Sequence, residues 1–319
     1  MKKRSMKLAF APLAIVAVLV AALGLAGCGG GTKPVSYATP EEAVAALVAA
    51  VESGDTERMS SVLGDESGAI AASGDSISDA AERAEFLDEY KVNHAIVPEG
   101  ADRATLQVGE SLWPFPVALV KDARGWRFDG AGAVEEIAYR RVGRNELGAI
   151  AVCRGYVLAQ NEYASEGRDG APAGIYATKL ISDEGSHNGL YWPAVEGETP
   201  SPVGPFVAQA AAEGYRANAE TRPPYHGYRY RPLFAQGANA PGGAKDYFTD
   251  GQLVGGFALI AWPAEYGLSG VMTFMVSRDG IVYQKDLGMD TDKVVDKIET
   301  YDPDASWSVV VDDSLVAEE

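Results

Sequence analysis

Cysteine is scarce in this 319-residue chain: Cys28 and Cys153 are the only two. That excludes a disulfide scaffold and a four-cysteine zinc site. Histidine is nearly as scarce. His94, His187 and His226 show no His-x-x-x-His or similar ligand spacing. Positive charge is also in deficit, with 27 Lys and Arg against 45 Asp and Glu, a net charge of −18. Four of those basic residues, Lys2, Lys3, Arg4 and Lys7, lie in the first 27 positions, where there is no acid. The remainder holds 23 basic and 45 acidic residues, or −22. Such a chain repels phosphate backbones, which argues against nucleic acid as a partner. An anionic bilayer repels it equally, so membrane association must be covalent or hydrophobic. Gly and Pro, 36 and 17, are too few and too scattered for a collagen-like or low-complexity protein. What remains is 47% apolar and 23% charged, a globular balance.

The basic start is followed by an apolar run from Leu8 to Leu25 that ends in Leu25-Ala26-Gly27-Cys28. This is a signal-peptide pattern over residues 1–27, with small residues before the cut. An uncleaved membrane helix is the competing reading. Against it, Gly24, Gly27 and Gly29 to Gly31 crowd the end of the run and no basic stop-transfer cluster follows. A cysteine directly after Leu-Ala-Gly resembles the bacterial lipobox. The resemblance implies a thioether-linked diacylglycerol on Cys28, cleavage before it, and acylation, typically by palmitate, of the new amino terminus. Two or three acyl chains make a durable anchor where one is marginal. Gly29 in place of Asp favours the outer membrane of a two-membraned bacterium, by resemblance to known sorting rules.

Residues 28–38 read as a Gly/Lys/Pro tether. Thr39-Pro40-Glu41-Glu42 is a capping box with proline at the first helical position, and Val44, Leu47, Val48 and Val51 follow at helical spacing. Asp55 caps a second helix carrying Met59, Val62 and Leu63. A third is expected from Ser78, with Phe86, Leu87 and Tyr90. Period-two segments then predict a meander closed by the Asp122-Ala123-Arg124-Gly125 hairpin. Helices followed by this meander, over residues 39–130, resemble the nuclear transport factor 2-like cone fold.

From Gly132 to Tyr163 there is no proline, and one long amphipathic helix is expected. Ile150, Cys153 and Val157 form its apolar stripe, flanked by Leu147, Ala151 and Leu158. Cys153 on that stripe reads as a buried structural thiol rather than a reactive one. Strands are expected at Gly227 to Leu233, Leu253 to Trp262, Val271 to Val276 and Ile281 to Lys285. Thr291 is expected to cap a short helix running through Val294, Val295 and Ile298. The fold class is α+β: helices plus a meander, then, over residues 131–319, a long helix on a small antiparallel sheet.

A set of ordered motifs spans the chain. They include Trp113-Pro114-Phe115-Pro116, Arg140 to Leu147, Ala159 to Tyr163, Gly189-Leu190-Tyr191-Trp192-Pro193, Pro224-Tyr225-His226-Gly227-Tyr228, and Gly255-Gly256-Phe257 with Ala261-Trp262-Pro263. Together they resemble an uncharacterised bacterial family, domain of unknown function 2950, from about Thr39 to Trp307. That resemblance carries no activity with it. Asn145-Glu146, Ala159-Gln160 and Tyr163 on one helix, then Gly267-Leu268-Ser269-Gly270 and Asp279-Gly280, also resemble the head of a major pseudopilin. This implies a helix-plus-sheet shape, without the exposed apolar N-terminal helix of pilins.

The sequence assigns no catalytic residue, no metal ligands and no cofactor. Gly237 to Lys245 misses the phosphate-loop spacing, and Ser269 lacks a nucleophile elbow. The strongest signal is aromatic: Tyr191, Trp192, Tyr225, His226 and Tyr228 occur in Gly/Pro-rich loops. Rigid aromatic loops bind glycans or extended peptides, though the same rings can simply fill a core. The Trp192 loop and the Pro223 to Tyr228 stretch are expected to adjoin. The leading expectation is a non-enzymatic, lipid-anchored envelope binding or assembly protein facing the periplasm, with an envelope protein or glycan as partner. The alternative is an envelope-polymer hydrolase using His226 or His187 with a carboxylate.

Overall fold

The computed structural model describes residues 35–65, 68–194, 199–204, 210 and 224–311. The signal-peptide segment, Cys28 and most of the tether lie outside the described residues. Three helices open the fold. In α1 (Pro40–Ser53) the Thr39 hydroxyl accepts from the Glu42 N–H, the Glu42 carboxylate accepts from the Ala38 N–H, and Gly54 closes the helix. Asp55 caps α2 (Thr56–Leu63). The third helix, α3 (Ser76–Val92), starts two residues before the expected Ser78, because Asp75 is the cap and accepts from the N–H groups of Ile77 and Ser78.

These helices cover an antiparallel sheet of β1 (His94–Pro98), β2 (Arg103–Val108), β3 (Trp113–Pro114), β4 (Leu119–Asp122) and β5 (Gly125–Phe128). The strand order is β1-β2-β4-β5, with β3 also on β2. Register is fixed by pairs such as His94 with Val108 and Leu119 with Phe128. Tyr37 exchanges backbone hydrogen bonds of 2.8 Å with Trp126, so the chain is tied to the sheet before α1 begins. Leu47, Met59, Leu63, Leu106, Leu119 and Phe128 form the core between helices and sheet.

The organising element is α4 (Gly130–Ser165), 36 residues and about 54 Å long. It starts where the backbone passes Leu63: a Cβ on Gly130 would lie 2.4 Å from the Leu63 carbonyl oxygen. Its first turns belong to the N-terminal core through Ala133 and Ile137. From Ala149 to Ala164 it belongs to a second core. The expected boundary at 130/131 falls at the start of this helix, which contributes to both cores.

The second core is built on a parallel pair, β6 (Lys179–Ile181) and β7 (Gly189–Tyr191), and on a larger sheet. That sheet runs antiparallel in the order β16-β15-β14-β13-β8, from β8 (Tyr228–Leu233), β13 (Ala258–Pro263), β14 (Met272–Ser277), β15 (Val282–Asp286) and β16 (Ser308–Val309). Two short hairpins, β9 (Ala235–Gln236) with β10 (Lys245–Asp246) and β11 (Phe248–Thr249) with β12 (Gln252–Leu253), lie between β8 and β13. The expected single strand from Leu253 to Trp262 is broken at Gly255-Gly256, where the backbone passes the Tyr247 ring. A helix of one turn, α5 (Thr291–Val295), stops short of Ile298. Thr291 does not cap it, since its hydroxyl donates to the Gly288 carbonyl.

The long helix lies on β13, β14 and β15. Cys153 and Val157 face the strands as expected, with Ile150 packed beside them. Leu147 and Leu158 do not: each is 70% exposed. The buried stripe of α4 is narrower than the sequence pattern, so these flanking positions face water. Among the described residues no helix is long and apolar enough to cross a membrane. Ile150→Pro removes a hydrogen bond from α4 where it rests on the sheet. It should cost about 3 kcal/mol or more, read as a lower midpoint in urea unfolding.

Candidate functional site

The aromatic residues singled out in the sequence fall at two separate places. Tyr225 to Tyr228 sit where the two cores meet, beside Asn145 on α4. Gly227 has φ +74°, and a Cβ there would lie 2.4 Å from the Asn145 amide nitrogen. The Gly227 N–H donates to the Asp75 carboxylate at 3.1 Å, across the seam from the α3 cap. Asn145 donates to the Ser269 carbonyl at 2.9 Å, and Glu146 accepts from the N–H groups of Val271 and Met272. Tyr228 is fully buried beside Gly270, and its hydroxyl donates to the Met272 carbonyl at 2.9 Å. Burial foremost, with the Glu146 charge nearby, pushes its phenol far above the usual tyrosine range. His226 is half-buried at φ +49°, edge-on to the Tyr225 ring.

Trp192 lies at the other end of α4. It is 3% exposed, and its indole N–H donates to the Thr199 carbonyl at 3.0 Å. The Arg168 guanidinium is set against the rings of Tyr163 and Trp192, at 5.7 and 5.3 Å from their centroids. That stack is a cation–π arrangement that shields the charge from water. His187 tilts against Trp192 at 4.5 Å. Its Nδ1 is 3.9 Å from Asp169, beyond hydrogen-bond length, and the Asp169 carboxylate is taken instead by the His187 backbone N–H at 2.7 Å. Tyr191, at the end of β7, is half-buried.

Asn145 and Tyr163 are about 27 Å apart along α4, so the Trp192 and Tyr225 to Tyr228 loops do not adjoin as expected. Trp192 and Tyr228 fill the second core, while Tyr191, Tyr225 and His226 keep partial exposure. Ring content alone could not separate these roles, because the partners that enclose Tyr228 come from residues 146, 270 and 272.

A feature the sequence did not announce lies in the N-terminal half. Leu47, Met59, Leu63, Phe86, Phe115 and Ile137 line an apolar cleft of about 160 Å³ that opens to solvent. Its rim carries Asp79, Glu82, Arg83 and Arg141. The apolar residues come from α1, α2, α3, α4 and the segment after β3. Each reads as ordinary core within its own element, which is why no local signal marks the cleft. Among the described residues no group of three His, Cys, Asp or Glu side chains could hold a metal ion.

An α+β fold with two cores strung on one long helix, and with an apolar cleft in its N-terminal half, names no chemistry. The chain belongs to the family described as protein of unknown function (DUF2950), whose model matches residues 35–310. No curated protein and no solved structure matches, so the likeness to pseudopilin heads and to nuclear transport factor 2-like cones gains no support there.

Trp192→Ala and Tyr228→Ala should each cost about 3–5 kcal/mol, as large aromatic truncations in a packed core do, read by thermal unfolding. Cys153 is fully buried, and burial pushes its thiol from 9.0 up to about 12. The unfolded chain therefore loses this proton first. Stability should fall by about 1.4 kcal/mol per pH unit through that window. Cys153→Ala should reduce the slope by that amount in urea titrations run from pH 9 upward.

Proposed function

We propose that this protein is a non-enzymatic lipoprotein of the bacterial cell envelope, anchored through acyl chains on Cys28 and facing the periplasm as a binding or assembly factor. One observation carries the reading: the run Leu25-Ala26-Gly27-Cys28 closes an apolar leader with a basic start, nine residues before Tyr37, where the chain joins the sheet. Nine residues reach at most about 30 Å, which keeps the folded body close to the bilayer surface. The body after the leader carries −22, so lipid headgroups of the same sign repel it. Affinity for the membrane then rests on the acyl chains. Gly29 favours the outer membrane.

Partial exposure of Tyr191, Tyr225 and His226 supports contact with an envelope protein or glycan. The alternative is a hydrolase using His226 or His187 with a carboxylate; the His187 Nδ1 lies 3.9 Å from Asp169.

Cys28→Ser should release the protein from membrane fractions or leave a full-length precursor, and should abolish labelling by a palmitate analogue. A variant that fractionates, migrates and labels like the parent overturns the anchor. Tyr191→Ala combined with Tyr225→Ala should lower recovery of envelope material without lowering Tm. Unchanged recovery overturns contact through these two rings.

A further inference from the structure

The geometry points to the N-terminal cleft as a binding site for a small carboxylate whose apolar body is about the size of one six-membered ring. This goes beyond the anchor and does not rest on it. Size comes first. An apolar cavity of about 150 Å³ stays dry and takes up a single benzene ring, and this cleft measures about 160 Å³. Its walls are aliphatic and aromatic, with Phe86 and Phe115 tilted at 50° and 5.2 Å apart, so a flat or branched apolar group finds dispersion partners on several sides.

The sign of the ligand's charge follows from which rim groups are already engaged. Both carboxylate oxygens of Asp79 accept from the Ser73 N–H at 3.1 Å. Glu82 is paired with Arg144 at 2.8 Å. Arg141 is buried and donates to the carbonyls of Ala69 and Ile70, at 2.8 and 3.2 Å. Arg83, half-buried on α3, is the rim charge that makes no hydrogen bond or ion pair with any described residue. Its guanidinium offers the fork of donors that suits a carboxylate. The lining carries Arg83 and Arg141 against Asp79 and Glu82, and with Glu82 paired to Arg144 and Asp79 held by the Ser73 N–H, Arg83 is the charge left to meet a ligand. A carboxylate finds its partner there on a chain that otherwise repels anions, with a net charge of −18.

The test uses a soluble form beginning at Gly29, since residues 32–319 form one compact unit. Phenylacetate and its neutral amide, phenylacetamide, are titrated while the Met59 methyl signal is followed by NMR and binding heat by calorimetry. Phenylacetate should move the Met59 signal and bind about ten-fold tighter than the amide, the worth of one charge-assisted hydrogen bond. Arg83→Gln should erase that difference while leaving amide binding and Tm unchanged, and Arg83→Lys, which keeps the charge without the fork, should restore part of it. An unmoved Met59 signal with either probe up to about 10 mM, where a ligand of this size and ordinary efficiency binds, overturns the site. Equal affinity for acid and amide, or a preference that survives Arg83→Gln, overturns the role of Arg83 and with it the carboxylate.

Discussion

The structure depends on one helix being held at both ends by different cores. Over its first turns α4 joins the N-terminal core through Ala133 and Ile137. Over its last four turns it lies on the second sheet through Ala149, Cys153, Tyr156 and Tyr163. Between those stretches its inward side is polar. Arg141, Asn145 and Glu146 are each bonded to backbone groups far away in sequence, at residues 69–70, 269 and 271–272. Asp75 adds a fourth join, capping α3 and accepting from Gly227.

Polar joins of this kind contribute little net stability when made, but they are costly when half-made. Each buried side chain here faces a backbone group that would otherwise lose water without compensation. The apolar contacts on either side tolerate small shifts of α4 along its axis. The directional bonds of Asn145 and Glu146 do not, because a slide of one residue, about 1.5 Å, breaks them. Packing thus provides most of the energy, and the seam fixes the register in which the sheet, the α3 cap and α4 meet.

Much of the local architecture was legible in the sequence. The Thr39 capping box, the Asp55 cap, the hairpin at residues 122–125 and the span of α4 follow from short-range chemistry, and each stands within two residues of its expected place. What could not be read is what depends on contacts distant in sequence. The start of α3 lies at Ser76 because Asp75 is its cap, and the same carboxylate, which accepts from Ile77 and Ser78, also accepts from residue 227. Leu147 and Leu158 flanked the apolar stripe but face water, because nothing in the local pattern says how wide a strip of the helix the distant strands will cover. Tyr228 and Trp192 looked like a recognition pair, yet each is enclosed by segments that arrive from elsewhere. The cleft was invisible for the same reason: its walls come from four helices and a loop, and Arg83 is distinguished only by the engagement of its neighbours.

The composition of α4 makes its dependence on both cores strict. Gly143, Gly148 and Gly155 lie within it, and each interior glycine costs about 1 kcal/mol relative to alanine. Two of them fall between Arg141 and Ala149, where the helix passes from one core to the other. An isolated helix with that middle would be frayed or bent there, so its continuity comes from tertiary contacts on both sides. Loss of either core removes the support for the shared segment and exposes the Asn145 and Glu146 bonds to water. The middle of α4 therefore depends on both halves of the fold at once.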